Sequence, residues 1–276
     1  MERIEKILHR LRREGRGLEF GPSHSPVAPK SAGFRVETVD HLDRAGLIDK
    51  YRDHGVDLNR IEDVDHVWSG QPLTELIRNQ GQYDWIIASH VIEHVPDLIG
   101  FVNQCAALLK PDGLLSLAVP DLRYSFDCLR WPSTAGEILQ AHLDRRTRHA
   151  PGKVFDYFTT VVMRNGRIVW NDLDPAEYAP VHTFDQAELL LHEAIETTKY
   201  CDFHAWAFTP TSFRFALNDL RRLKLLELGE VEFFDTVSGE FHVTLGRAAP
   251  LQDFDRVREL RKIRGELAQV QVAAES

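Results

Sequence analysis

Ile4, Ile7, Leu8 and Leu11 recur at helical spacing and mark one face of a short helix near the start of the chain. A brief apolar run, "GLEF" from Gly17 to Phe20, follows and ends in the turn signal Gly21-Pro22. "FRVETVD", Phe34 to Asp40, alternates and is rich in β-formers, so it reads as a strand ending in an acid. "LIDKYRDHG" reads as a helix closed by Gly55, and "DHVWSG" as a short strand. "YDWIIAS", Tyr83 to Ser89, is a compact apolar strand. "PDLIGFVNQCAALLKPDG" starts on a proline and stops at Lys-Pro-Asp-Gly. Between them Leu98, Phe101, Val102, Cys105, Leu108 and Leu109 form a helical stripe. "LLSLAVP", Leu114 to Pro120, is another buried strand.

Buried strands that alternate with helices imply a parallel sheet covered on both faces. Ligands of such sheets sit beyond the carboxyl ends of the strands, where "GPSHSP", "DHLD", "SHVIEH" and "PDLRYSFD" fall. Residues 121 to 206 lose this regularity and are rich in His, Arg, Asp and aromatics, which reads as an inserted, mostly helical lid. The pattern resumes with a helix in "FTPTSFRFALNDLRRLKLLELG". Two strands joined at Ser238-Gly239 then lead to the end of an α/β unit near residue 250. The organisation expected is thus a cofactor-binding half over 1–120, the lid over 121–206, the rest of the α/β domain over 207–250, and a tail helix over 251–276. In that tail Phe254, Val257, Leu260, Ile263, Leu267 and Val270 form an apolar stripe, suited to docking on the chain itself or to a homodimer contact.

Composition narrows the partners. Hydrophobic residues make up 43% and charged residues 27% of the 276, an ordinary globular balance. The net charge of −9 disfavours nonspecific binding to nucleic acid or anionic membrane. No apolar run reaches the ~18 residues of a membrane span, and the first residues have no apolar signal core, so a cytoplasmic protein is expected. Cys105, Cys128 and Cys201 are scattered and odd in number, as reduced thiols are.

The loop "GPSHSP" decides the ligand class. A turn at Gly21 lets backbone approach a ligand, and Asp40 ends the next strand, where a carboxylate can accept both ribose hydroxyls of an adenosine. Prolines donate no amide, so this loop suits a pyrophosphate poorly. An adenosine ligand without phosphates fits better, and S-adenosylmethionine is one. On "LEFGPSHSP", "VETVD" and "YDWIIASHVIEHVPDLIGFVNQCAALLKPDGLLSLAVP" the chain resembles class I S-adenosylmethionine-dependent methyltransferases of the small-molecule type, over residues 15 to 120. The resemblance implies a Rossmann-like, doubly wound, mainly parallel seven-stranded sheet with its final strand antiparallel. It implies that Glu19 and Gly21, with Pro22 and Ser23 beside them, meet the methionine end of the cofactor. Asp40 and the adjoining His41 would meet the ribose, Trp68 and Ser69 the adenine, and Ser89 and His90 the transferred methyl. The shortage of glycine in the first loop also admits a cofactor-binding protein without catalysis.

"HVIEH", His90 to His94, matches a second pattern, the H-x-x-E-H of inverted zinc peptidases. That reading needs one continuous helix through both histidines, whereas His90 directly follows a strand and Pro96 comes two residues after His94. No metal is expected. For methyl transfer to a hydroxyl, His90, Asp121 and His94 are the candidate general bases. Arg123, Tyr124, Arg145, Arg148 and His204 are the candidate acceptor-binding residues in the lid. The expected reaction is O-methylation of a sugar, glycan precursor or other small polar metabolite.

Overall fold

A computed structural model describes residues 1–78 and 80–270. The elements of the first half are α1 (Arg3–Leu8), β1 (Gly17–Phe20), β2 (Val36–Asp40), α2 (Arg44–Tyr51), β3 (His66–Val67), α3 (Leu73–Leu76), β4 (Tyr83–Ser89), α4 (Leu98–Leu108) and β5 (Leu109–Pro120). The lid carries α5 (Ala135–Leu143), α6 (Pro151–Thr160), β6 (Val162–Arg164), β7 (Tyr178–Pro180) and α7 (Phe184–Glu196). The chain then runs through α8 (Pro210–Arg222), β8 (Gly229–Val237), β9 (Glu240–Gly246) and α9 (Arg256–Leu267).

Seven strands form one sheet in the order β3-β2-β1-β4-β5-β9-β8. Neighbours from β3 to β5 are parallel, and β9 runs antiparallel to both β5 and β8. Alternation along β4 feeds two cores. Trp85 and Ile87 turn to the face covered by Ile7, Leu8 and Leu11, while Ile86 and Ala88 turn to the face covered by α4 and α8. The β8–β9 hairpin turns at Ser238 and Gly239, both with positive φ (55° and 83°), the geometry of a two-residue hairpin loop. One boundary differs from the sequence pattern. Lys110-Pro111-Asp112-Gly113 belongs to the start of β5, because Leu109 already pairs with Tyr83 and the ladder takes a bulge there.

The lid has a small cluster of its own, Cys128, Val162 and Trp170, but most of its apolar side chains pack on the sheet. Ile138, Ala141, Val154, Ala194, Phe203 and Trp206 join the same buried cluster as β4 and α4. It is also pinned by polar contacts: His142 meets Asp97 at 2.9 Å, and the Trp206 indole donates to the Val95 carbonyl at 2.7 Å. α9 docks on α8, where Arg256 pairs with Asp219, and leaves Val257 and Leu260 exposed. Cys105, Cys128 and Cys201 are free thiols. Among the described residues no helix is long and apolar enough to cross a membrane.

Gly17 is forced by packing. A Cβ there would lie 2.0 Å from the Trp85 ring, and that ring is wholly buried with its indole N–H on the Arg12 carbonyl at 2.9 Å. Gly17→Ala is expected to destabilise the fold by about 1–3 kcal/mol, the usual cost of overpacking, read as a lower urea midpoint at unchanged slope.

Candidate functional site

The carboxyl ends of β1, β2 and β4 converge on the loop after β1. Glu19, near the end of β1, is buried, and its two oxygens accept the amides of Val27 at 2.7 Å and Ala28 at 3.0 Å. The N–H groups that a phosphate loop would turn outward are here turned onto a carboxylate. Burial is the main influence on Glu19 and raises its pKa to about 7, against the lowering effect of those two amides. Gly21 and Ser23 both take positive φ (61° and 47°), and the Ser23 amide donates to Asp40 at 3.0 Å. Asp40 therefore closes the loop from the end of β2. Its other oxygen accepts from the His41 amide and ring, and the far nitrogen of that ring meets Lys50 at 2.9 Å. Pro22 lies between the two left-handed residues and adds no amide.

Trp68 follows β3 and is half-buried. It stacks on Phe101, takes the Asp40 carbonyl on its own amide at 2.8 Å, and gives its indole N–H to Gln71. Ser69 is exposed and bonded to Gln71. The end of β4 is tied to the start of the chain, since Arg3 donates to the Ser89 hydroxyl at 2.7 Å. His90 has a left-handed backbone (φ 54°), and its Nε2 meets Glu240 at 2.7 Å. Glu240 also receives Arg3 and His242, which, against the effect of burial, hold it far below the usual carboxylate range. Burial pulls His90 down, but the contacts with Glu240 and Glu93 outweigh it and raise its pKa to about 9. The acids around this imidazole favour its charged form, which donates a hydrogen bond to Glu240.

Other expected residues have structural employment. Asp121 is fully buried, doubly bonded to the Arg123 guanidinium and to the Thr236 hydroxyl at 2.6 Å, which leaves no oxygen facing a ligand. Arg123 is spent on that pair and on Gln269, and Tyr124 packs under its guanidinium. Arg148 donates to the Ala194 and Thr197 carbonyls, capping the end of α7. Arg145 is exposed in the turn after α5. Arg148 thus lines a cavity within the lid, and Arg145 is not brought to the strand ends.

His94 and His204 are. Ile92–His94 is a single 3₁₀ turn, not the continuous helix that the zinc-peptidase pattern requires. Nδ1 of His94 meets Asp202 at 2.8 Å, and Nδ1 of His204 meets Asp127 at 2.6 Å. Between them lies Glu93, wholly buried. Burial alone would raise its pKa, but His90 and the nearby His94 and His204 hold it at about 2. Arg3, Glu240 and Asp202 leave no signal in the local sequence pattern. Arg3 and Glu240 stand 237 positions apart, so no local pattern could join them.

A profile described as a methyltransferase domain matches residues 1–176. The chain belongs to the methyltransferase-domain family. The matched family and the seven-stranded sheet agree with the class I S-adenosylmethionine-dependent methyltransferase expected from the sequence. Curated relatives named "Ubiquinone biosynthesis O-methyltransferase" include one from Rhodopseudomonas palustris, 41% identical over 46 residues, which are 17% of this chain and 18% of that protein. Another, from Xanthomonas euvesicatoria, is 24% identical over 184 residues, covering 64% of this chain and 73% of that protein. The match thus spans under a fifth of the first relative's length. Among solved structures, the CcbJ methyltransferase from Streptomyces caelestis aligns with a TM-score of 0.46 at 14% identity, over 88% of this chain and 87% of that one.

Two expectations follow for the methyltransferase. Asp40→Ala removes the acceptor that closes the loop and is expected to weaken S-adenosylmethionine binding by about 10- to 100-fold in calorimetry, the worth of one or two charge-assisted hydrogen bonds. The raised Glu19 pKa stabilises the fold fully below its ordinary value of 4.5, and this contribution is lost as pH rises through about 7. Thermal melts should show a flatter pH dependence for Glu19→Gln than for the parent across that window. The stabilisation of the parent by the cationic cofactor should grow as Glu19 ionises.

Proposed function

We propose that this methyltransferase transfers its methyl group to a hydroxyl oxygen of a small polar acceptor, such as a sugar or glycan precursor, held between the strand ends and the lid. The observation that carries this reading is the pair of carboxylate-bound imidazoles, His94 and His204, brought beside the end of β4 from the sheet and from the lid. A sulfonium methyl is already activated, so most of the catalytic need is alignment. A neutral amine attacks as it stands, whereas a hydroxyl needs its proton weakened or removed. An imidazole that can take or share that proton is therefore needed more by an alcohol than by an already neutral amine.

The lid supports a small acceptor. A cavity of about 270 Å³ is lined by Arg148, His149, Val154, Leu190, Tyr200 and Asp202, among others. Asp202 lines this cavity and also binds His94, so the cavity adjoins the imidazole pair. Burial lowers the pKa of His149 to about 4, which keeps it neutral, and its Nε2 is buried without a partner. A mixed apolar and polar lining with one unpartnered imidazole nitrogen suits a ring bearing hydroxyls. The curated relatives bear O-methyltransferase names, and the oxygen assignment agrees with that.

The test is turnover with labelled S-adenosylmethionine on matched panels of hydroxyl and amine acceptors, with products located by mass spectrometry. Methylated oxygen on sugars or small alcohols is expected. Turnover confined to amines would overturn the oxygen assignment.

A further inference from the structure

Glu93 is fully buried, and neither of its oxygens has a hydrogen-bond partner. Sealing a carboxylate in this way is costly unless positive charge answers it. Besides Nδ1 of His90 at 3.5 Å, Oε1 faces Nε2 of His94 at 4.0 Å and Nε2 of His204 at 3.9 Å. Those gaps are too long for hydrogen bonds, so protons on the two rings would leave all three groups poorly satisfied. The opposite nitrogens are engaged, His94 by Asp202 and His204 by Asp127, which fixes each ring with Nε2 inward. An imidazole oriented by a carboxylate on its far side is the usual support of a metal ligand. The backbone holds the set in register. The Ala205 and Trp206 amides donate to the Glu93 carbonyl at 2.8 and 3.2 Å, the Tyr200 hydroxyl donates to the His94 carbonyl at 2.8 Å, and Arg130 bridges Asp127 and the His204 carbonyl.

We propose that Glu93, His94 and His204 bind one first-row divalent cation, Zn²⁺ or an ion of its type, through the Glu93 carboxylate and the two Nε2 atoms. The three donors already lie within 4.8 Å of one another. A tetrahedral ion about 2.1 Å from each donor spaces them about 3.4 Å apart, so roughly 0.5 Å of closure from the Glu93 distances, and up to about 1.4 Å between the two imidazole donors, completes the site. Two imidazoles and one carboxylate suit zinc, cobalt or iron better than the hard cations magnesium and calcium. The site departs from the expected absence of a metal. It also departs from the zinc-peptidase pattern, because His90 is not a donor and His204 comes from the lid.

Three protein ligands leave a coordination position open, and a hydroxyl bound there would be acidified. That role rests on the oxygen-acceptor reading, whereas the binding of the ion does not. The experiment is titration of the full chain, stripped with chelator, with Zn²⁺, and with Co²⁺ followed by its visible absorption. S-adenosylmethionine binding is measured by calorimetry on the same samples. One ion per chain is expected. Affinity should fall at least about 100-fold in His204→Ala and about 10- to 100-fold in Asp127→Asn, which alters no ligand and decides the matter if the alanine variant does not fold. Stripped protein that binds S-adenosylmethionine but no ion overturns the site, as does ion binding that neither variant weakens. Stripped protein that binds the ion as expected but not S-adenosylmethionine upholds the site and overturns the cofactor-dependent reading instead.

Discussion

A carboxylate shut away from water sets terms for everything around it, and Glu93 does so here. It sits in the turn after β4 with no exposed surface. Around it stand His90 at the strand end, His94 in the same turn and His204 from the lid. Each imidazole is held by a further acid, Glu240, Asp202 or Asp127. The turn and the lid are thereby joined by electrostatics as well as by the shared apolar cluster. Separating the lid from the sheet would strip Glu93 of one of the few groups able to answer its charge.

The same economy governs the loop after β1. Its prolines rule out a nest of outward amides, and its remaining amides near Val27 and Ala28 point inward onto Glu19. The loop is therefore shaped by two acids, Glu19 beneath it and Asp40 beside it, rather than by glycines. Such a loop can line an adenosine site without offering an anion cradle, which agrees with a cofactor whose reactive centre is a cation.

Much of this was legible in the sequence. Period-two and period-3.6 stripes marked most of the sheet strands and their helices, because burial on a sheet face and along a helix stripe leaves those repeats in the residues themselves. Asp40 and Gly21 were legible for the same local reason, as an acid at a strand end and a glycine at a turn. The lid roles were not. Asp121 and Arg123 pair with each other two positions apart, as their spacing allows, but the Thr236 hydroxyl on Asp121 and the α7 carbonyls on Arg148 come from segments that only the folded chain brings near. His90 looked like a base, and Glu240, 150 positions away, favours its charged, hydrogen-bond-donating form. Periodicity reports which face a residue occupies; it carries no information about charge pairs between distant segments.

The contact of Arg3 with Glu240 has a consequence for how the molecule comes into being. The first turn of the chain and the start of its last sheet strand meet across 237 positions. During synthesis α1 emerges long before β9 exists, so Ile7, Leu8 and Leu11 can settle on β2, β4 and β5 while Arg3 still waits for Glu240. Contacts of such long range are slow to close. The newborn chain can thus gather its central parallel strands first, and the pocket acquires its full set of charges only when the final hairpin is laid beside β5. An unfinished or shortened polypeptide would then possess a recognisable scaffold without a competent cleft, which separates the moment of collapse from the moment of activity.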